Sequence, residues 1–248
     1  MADKPNVLFI LSDQHNAKFL SCRGHPDVKT PNFDRLAAEG VRFENAITQN
    51  GICTPSRVCF ISGQYCHNHG YYGLSGPNPG GLPTVFGHFR KAGYRTAAVG
   101  KTHCPEYWLE DGCDEFYETD RTSIGGSCRE YLGYMAERGI DIYHEYKLQS
   151  SGGCPSPFRY EDSQEGWSAR KVIDIMRRSV EDGKPFFVHF SLTKPHGPYT
   201  PARQFWDMYD ESKLTLPLLL RRMADRFGGA NYTGVKIGRA SCRDRVLS

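Results

Sequence analysis

The run Val7-Leu8-Phe9-Ile10-Leu11, stopped at once by Ser12-Asp13-Gln14-His15, constrains the fold more than any other stretch of the chain. It is too short for a membrane span or for the apolar region of a signal peptide with its cleavage site, so it predicts a buried first strand. Comparable runs return at residues 41–47, 94–99 and 186–192, and helical patterns lie between them. Thr30-Pro31 predicts a helix start, a cap residue followed by proline in the first turn, with Phe33, Leu36 and Ala37 as its apolar stripe and Gly40 as its stop. Thr54-Pro55 repeats that start, and the helix it opens continues through residues 58–61 to Gly63. Residues 85–92 predict a helix stopped by Gly93. Trp167, Val172, Ile175, Met176 and Val180 mark one face of another.

Strands alternating with helices predict an α/β domain with a largely parallel sheet. Residues 104–165, rich in Gly, Ser, Tyr and charge, are expected to be an elaborated loop or an insertion with little regular structure. In parallel sheets ligands gather beyond the carboxyl ends of the strands. Asp13, Lys101 and His196 each fall just after a predicted strand, so three segments of chain are candidates to converge on one site.

Composition narrows the function. A net charge of +3, spread evenly, argues against a nucleic-acid or membrane partner. The nine cysteines are an odd, irregularly spaced set without a C-x-x-C pair, which excludes zinc-ribbon and thioredoxin-like readings. Free thiols and a cytoplasmic location are expected, with a periplasmic or secreted location the alternative if the start is misassigned.

Residues 51–63, Gly-Ile-Cys-Thr-Pro-Ser-Arg-Val-Cys-Phe-Ile-Ser-Gly, resemble the signature of the formylglycine-dependent, type I sulfatases, whose heart is Cys-x-Pro-Ser-Arg. Ser62 departs from it, since the family more often has Thr or Ala there. Three further segments resemble the family in its order and spacing: the opening strand with Asp13-Gln14, residues 93–103 ending Gly100-Lys101-Thr102-His103, and Lys194-Pro195-His196-Gly197-Pro198-Tyr199. Thr102 stands where an aromatic is usual, and Gln14 where many members have a second Asp. The resemblance implies an alkaline-phosphatase-like three-layer fold with a largely parallel central sheet flanked by helices. It also implies a sulfuric ester hydrolase acting on a sulfated small molecule or carbohydrate.

On that resemblance Cys53 is the residue converted to formylglycine by a maturation enzyme, and its position at a helix start favours an anion nearby. Asp13, Gln14 and the group at Cys53 are the implied ligands of a divalent cation, Ca2+ or else Mg2+ or Mn2+. Arg57 is implied to hold the aldehyde hydrate, Lys101 and His196 to contact the sulfate, and His103 to act as base. Substitutions at Lys101, His103 and His196 are expected to change chemistry more than folding. The enzymatic alternative is a formylglycine-dependent phosphonate monoester or phosphodiester hydrolase.

Other residues read as structural. A cysteine before a helix is ordinarily a small buried hydrophobe, and only its Pro55-Ser56-Arg57 context sets Cys53 apart. Cys59 and Cys66 are expected to be core thiols. His67 and His69, spaced i, i+2, point apart on a helix, predict no zinc pair and are expected to be structural or substrate-lining. His15, His25, His88, His144 and His189 are read as structural, and Tyr71, Tyr72 and Trp108 as core or ring-stacking aromatics. The family's second metal-ligand pair has no counterpart after His196, so residues 1–236 are expected to be an incomplete, truncated catalytic domain, inactive by itself. Residues 237–248 resemble a translated sequencing adapter and are expected to be a non-native tail.

Overall fold

The computed structural model describes residues 4–78, 80–105, 108–109, 112–120, 128–141 and 154–215. The expectations for the tail at 237–248, for Cys242 and for His144 lie outside the described residues. The chain divides into two compact units. The first comprises Met1–Asp13, Ala46–Ile140 and Glu161–Thr193; the second comprises Gln14–Asn45, Asp141–Tyr160 and Lys194–Ser248. No described helix is long and apolar enough to cross a membrane.

The first unit is built on a four-stranded sheet of β1 (Val7–Asp13), β2 (Arg95–Gly100), β3 (Glu115–Glu118) and the first residues of β4 (Phe186–Pro195), in the order β1-β4-β2-β3. β2 runs parallel to both neighbours, with Gly100 opposite Glu118 on one side and Ser191 on the other. Successive side chains of a strand point to opposite faces, and this sheet buries both of them. Ala98 and Phe187 pack with Val58, Ile61 and Phe86 on one face. Ala97, Val99 and Val188 pack with Val172 and Ile175 on the other. Helices α2 (Cys53–Ser62) and α4 (Val85–Lys91) supply the first layer and α6 (Gln164–Glu181) supplies the second, so the unit has the expected three layers. Between α2 and α4 lies the short α3 (Cys66–His69).

Local chemistry sets the helix ends. Thr84 Oγ1 accepts the Gly87 N–H at 2.9 Å, and Ser163 Oγ accepts the Gly166 N–H at 3.1 Å. α2 starts before the expected cap: Ile52 is its N-cap, so Thr54 and Pro55 sit inside the first turn. The first N–H groups of a helix have no intrahelical partner, and a proline among them costs no hydrogen bond.

The expectations for the strands and for residues 104–165 are corrected. Residues 104–165 contain regular structure, namely β3 and α5 (Arg129–Glu137), whose Tyr131 and Met135 are buried. A four-residue strand, Glu-Phe-Tyr-Glu, carries too few positions to show a period. β1 is half-exposed rather than buried, with Leu8, Phe9 and Ile10 at 40–47%, because it is an edge strand with one neighbour in the described sheet. Residues 41–47 form no strand, and Val41, Phe43 and Ile47 are exposed. Alternation makes a strand only where a second strand takes up its backbone groups. Here the Glu44 carboxylate pairs instead with Arg23 at 2.7 Å and Arg42 at 2.6 Å.

The second unit contains α1 (Pro31–Glu39) and α7 (Arg203–Trp206), with a parallel bridge between Ser156 and Ala202. Thr30 does not cap α1 through its side chain; its Oγ1 accepts the Ser21 N–H at 3.0 Å. Phe33 and Leu36, expected in the apolar stripe of this helix, are exposed within the described residues.

Candidate active site

The site assembles where β1, β2 and β3 end and α2 begins. Gly100 closes β2 with φ 98°, a conformation that L side chains avoid, and a Cβ there would lie 1.9 Å from the Ser191 carbonyl oxygen. This close approach lets the Lys101 N–H reach Ser191 O at 3.0 Å. The chain then turns inward rather than out to solvent. Lys101, Thr102 and His103 are all buried, and His103 itself takes a left-handed φ of 49°.

Cys53 is the first residue of α2 and Arg57 lies one turn later on the same face. Cys53 is half-buried, whereas Arg57 is 2% exposed. The Arg57 guanidinium donates to the Lys101 carbonyl at 2.6 Å and to Ser191 Oγ at 2.9 Å, and its other nitrogen faces Asp13 Oδ2 at 3.6 Å. The Lys101 ammonium lies 2.6 Å from the same Asp13 oxygen and 3.3 Å from Asp120 Oδ2. Two buried cations thus face two buried carboxylates. Pairing of this kind is what makes such charges tolerable away from water.

His103 sits beside this group, and burial lowers its pKa below the ordinary imidazole value. The cations of Lys101 and Arg57 push in the same direction, while Asp120 and Asp13 push back. The ring is therefore neutral near pH 7, the form that accepts a proton.

Of the residues expected from sequence, the first unit brings together Asp13, Arg57, Lys101 and His103 beside the helix that Cys53 opens. Gln14 is exposed, takes φ 54° and begins the second unit. His196 also belongs to the second unit, one residue past β4; it is half-buried, with Nδ1 2.7 Å from the carbonyl of Gly197. Three contributors were not anticipated. Ser191 holds Arg57, Asp120 shares Lys101, and Glu118 lies behind Thr102. Asp120 and Glu118 become visible only once β3 is recognised. Ser191 lies inside the predicted strand 186–192, where nothing in the local pattern marks it.

The donor chemistry fits a hard divalent cation in kind. Asp13 offers a buried carboxylate oxygen at a strand end, and position 53 would offer oxygen only after its thiol is converted. Six to eight oxygens are usual for calcium, and these residues supply part of such a set. Nothing in the set selects calcium over magnesium or manganese.

A second cluster has a different character. Cys59, Cys66 and His69 are buried, with the sulfurs 3.6 Å apart and His69 Nε2 3.2 Å from Cys59 Sγ. The backbone N–H of Tyr71 donates to His69 Nδ1 at 3.1 Å, which places the ring proton on Nε2, facing Cys59. A metal-bound imidazole has the reverse arrangement, with its second nitrogen donating. The cluster is a hydrogen-bonded thiol network, as expected of core cysteines. Burial raises the Cys59 thiol to about 11. All eight described cysteines are unbridged. Tyr71 and Trp108 belong to the core, whereas Tyr72 is exposed.

A family model described as Sulfatase matches residues 5–234. The arylsulfatase of Clostridium perfringens is 31% identical over 87% of this chain and 48% of its own length. The choline-sulfatase of Rhizobium meliloti is 28% identical over 86% of this chain and 43% of its own. The chain therefore spans less than half the length of these relatives. Among solved structures, the phosphonate monoester hydrolase of Agrobacterium radiobacter superposes with a TM-score of 0.68 at 24% identity, over 84% of this chain and 44% of that one. A structure solved with D-glucosamine-2-N,6-O-disulfate superposes with a TM-score of 0.63 at 23% identity, over 88% and 40%. At these identities the two structures establish the α/β fold alone.

Proposed function

The chain belongs to the sulfatase family, and on that premise we propose that the whole protein hydrolyses a sulfate ester, with Cys53 as the residue converted to formylglycine. The observation that carries this reading is the buried group of Asp13, Arg57, Lys101 and Asp120 at the start of α2. The family uses a formylglycine and a divalent cation, which together supply an activated oxygen nucleophile.

The chain's own residues do the rest. Arg57, pinned by the Lys101 carbonyl and Ser191 Oγ, directs positive charge at the group on Cys53 one turn before it. Lys101 is held by Asp13 and Asp120, so its ammonium is a fixed donor for a sulfate oxygen and needs little reorganisation. His103, neutral and buried, takes the proton whose removal lets the sulfate leave. His196 is assigned a second contact to the sulfate. Asp13 and Gln14 supply oxygens to the cation, which we take as calcium, with magnesium or manganese the alternatives.

A sulfated sugar or aryl sulfate is the proposed substrate, and a formylglycine-generating enzyme the proposed partner. Assaying the matured whole protein against an aryl sulfate and a phosphonate monoester tests the reading. Sulfate turnover should dominate. A preference for the phosphonate of about ten-fold or more, a barrier difference near 1.4 kcal/mol, would overturn it in favour of the phosphonate hydrolase reading.

A further inference from the structure

Glu118 is the last residue of β3 and is 2% exposed. Among the described residues no lysine, arginine or histidine lies within ion-pair distance of it. A carboxylate so placed is costly unless hydrogen bonds satisfy it, and here each oxygen serves one strand end. Oε2 accepts the Thr102 N–H at 3.0 Å and the Thr102 hydroxyl. Oε1 accepts the N–H groups of Thr119 at 2.9 Å and Asp120 at 2.7 Å. The two segments tied in this way carry the paired charges of the site. Thr102 stands between Lys101 and His103, and Asp120 is the second carboxylate on Lys101. The tie also spans a stretch in which Gly100 and His103 both hold left-handed backbone, a conformation that surrounding contacts must fix.

We propose that Glu118 is a positioning residue: its carboxylate clamps the ends of β2 and β3 together and so sets Lys101, His103 and Asp120 for the reaction. The clamp rests on the sulfatase reading for its catalytic consequence, but not for its structural one. All three backbone contacts are N–H donors, so an isosteric amide cannot replace the carboxylate. One end of a glutamine would face N–H groups with its own NH2, and that end of the clamp would open. Burial raises the Glu118 carboxyl to about 7, and the hydrogen bonds from Thr102 and Asp120 hold it from rising further.

The test is Glu118→Gln in the whole protein, read in two ways. Hydrogen exchange of residues 101–105 and 118–120 should quicken about ten-fold or more while the centre of β2 keeps its protection. With an aryl sulfate, kcat should fall about ten-fold or more and KM stay within about two-fold, since the loss falls on positioning rather than binding. Thr102→Val, which removes the hydroxyl and keeps the N–H, should give a smaller change of the same kind, and Thr102→Ser should restore it. This pair decides the matter if Glu118→Gln does not fold. Unchanged local exchange, or a loss of kcat that only tracks a loss of folded protein, would overturn the clamp. A wild-type protein without sulfate turnover would instead sink the function proposed above, and the exchange measurement would still decide the clamp.

Discussion

His103 and His189 are both buried imidazoles of the first unit, yet their surroundings differ in kind. His189 lies mid-strand in β4, opposite Ala98, with ring centroids of Phe9 and Phe60 at 5.5 Å and Phe86 at 6.1 Å. Both of its ring nitrogens lack a hydrogen-bond partner among the described residues, and burial pushes its pKa down to about 3. His103 lies three residues beyond the end of β2, where Lys101, Arg57, Asp120 and Asp13 all act on it. Burial alone therefore does not bring a histidine into a charged cluster. The strand end does, because there the backbone leaves the ladder and side chains at the ends of β1, β2 and β3 can meet one from α2.

Breaking the charged end should give the largest effects. In the whole, matured protein, Cys53→Ala should reduce sulfate-ester turnover to background while the melting temperature stays near that of the wild type. An active Cys53→Ala protein would remove the basis for the comparison. His103→Ala should cost roughly 10²–10⁴-fold in kcat, the usual worth of acid–base help, with the fold intact by circular dichroism.

Lys101→Ala should behave differently from what its place in a loop suggests. Its ammonium is buried between Asp13 and Asp120, so removing it takes a cation from both buried carboxylates, with Arg57 still facing Asp13, and should cost up to about 3–5 kcal/mol of stability as well as activity. Chemical denaturation measures this, and an unchanged midpoint would show that the carboxylates find other partners or protons.

The aromatic region sharpens the comparison through pH. An unfolded histidine takes up its proton near pH 6.5, whereas folded His189 resists protonation down to about 3. Its contribution to stability is present above pH 6.5 and falls with pH, by on the order of 1.4 kcal/mol per unit below that point. His189→Leu should remove that part of the slope between pH 6.5 and 4.5, seen as a smaller shift in denaturation midpoint than the wild type shows. An unchanged slope would mean that His189 is more open to solvent than its ring contacts imply.

Much of this was legible in the sequence. The alternation of apolar runs with helical stripes specified a parallel α/β sheet, because burial on both faces demands continuous apolar strands. The Cys53–Arg57 motif and Gly100-Lys101-Thr102-His103 marked the segments proposed to carry the chemistry, because their resemblance to the sulfatase signature lies in short, contiguous runs of sequence. What only the tertiary structure decided is which residues share a charge. The sequence places Asp13, Arg57, Lys101, Glu118, Asp120 and Ser191 on five separate segments, with no period linking them. They meet because β2 lies between β3 and β4 and sets Gly100 opposite both Glu118 and Ser191. The same distinction explains residues 41–47, whose alternation was real but whose fate depended on a partner strand. Pairing across a sheet and between buried charges is a property of neighbours distant in the chain, and local pattern carries no record of them.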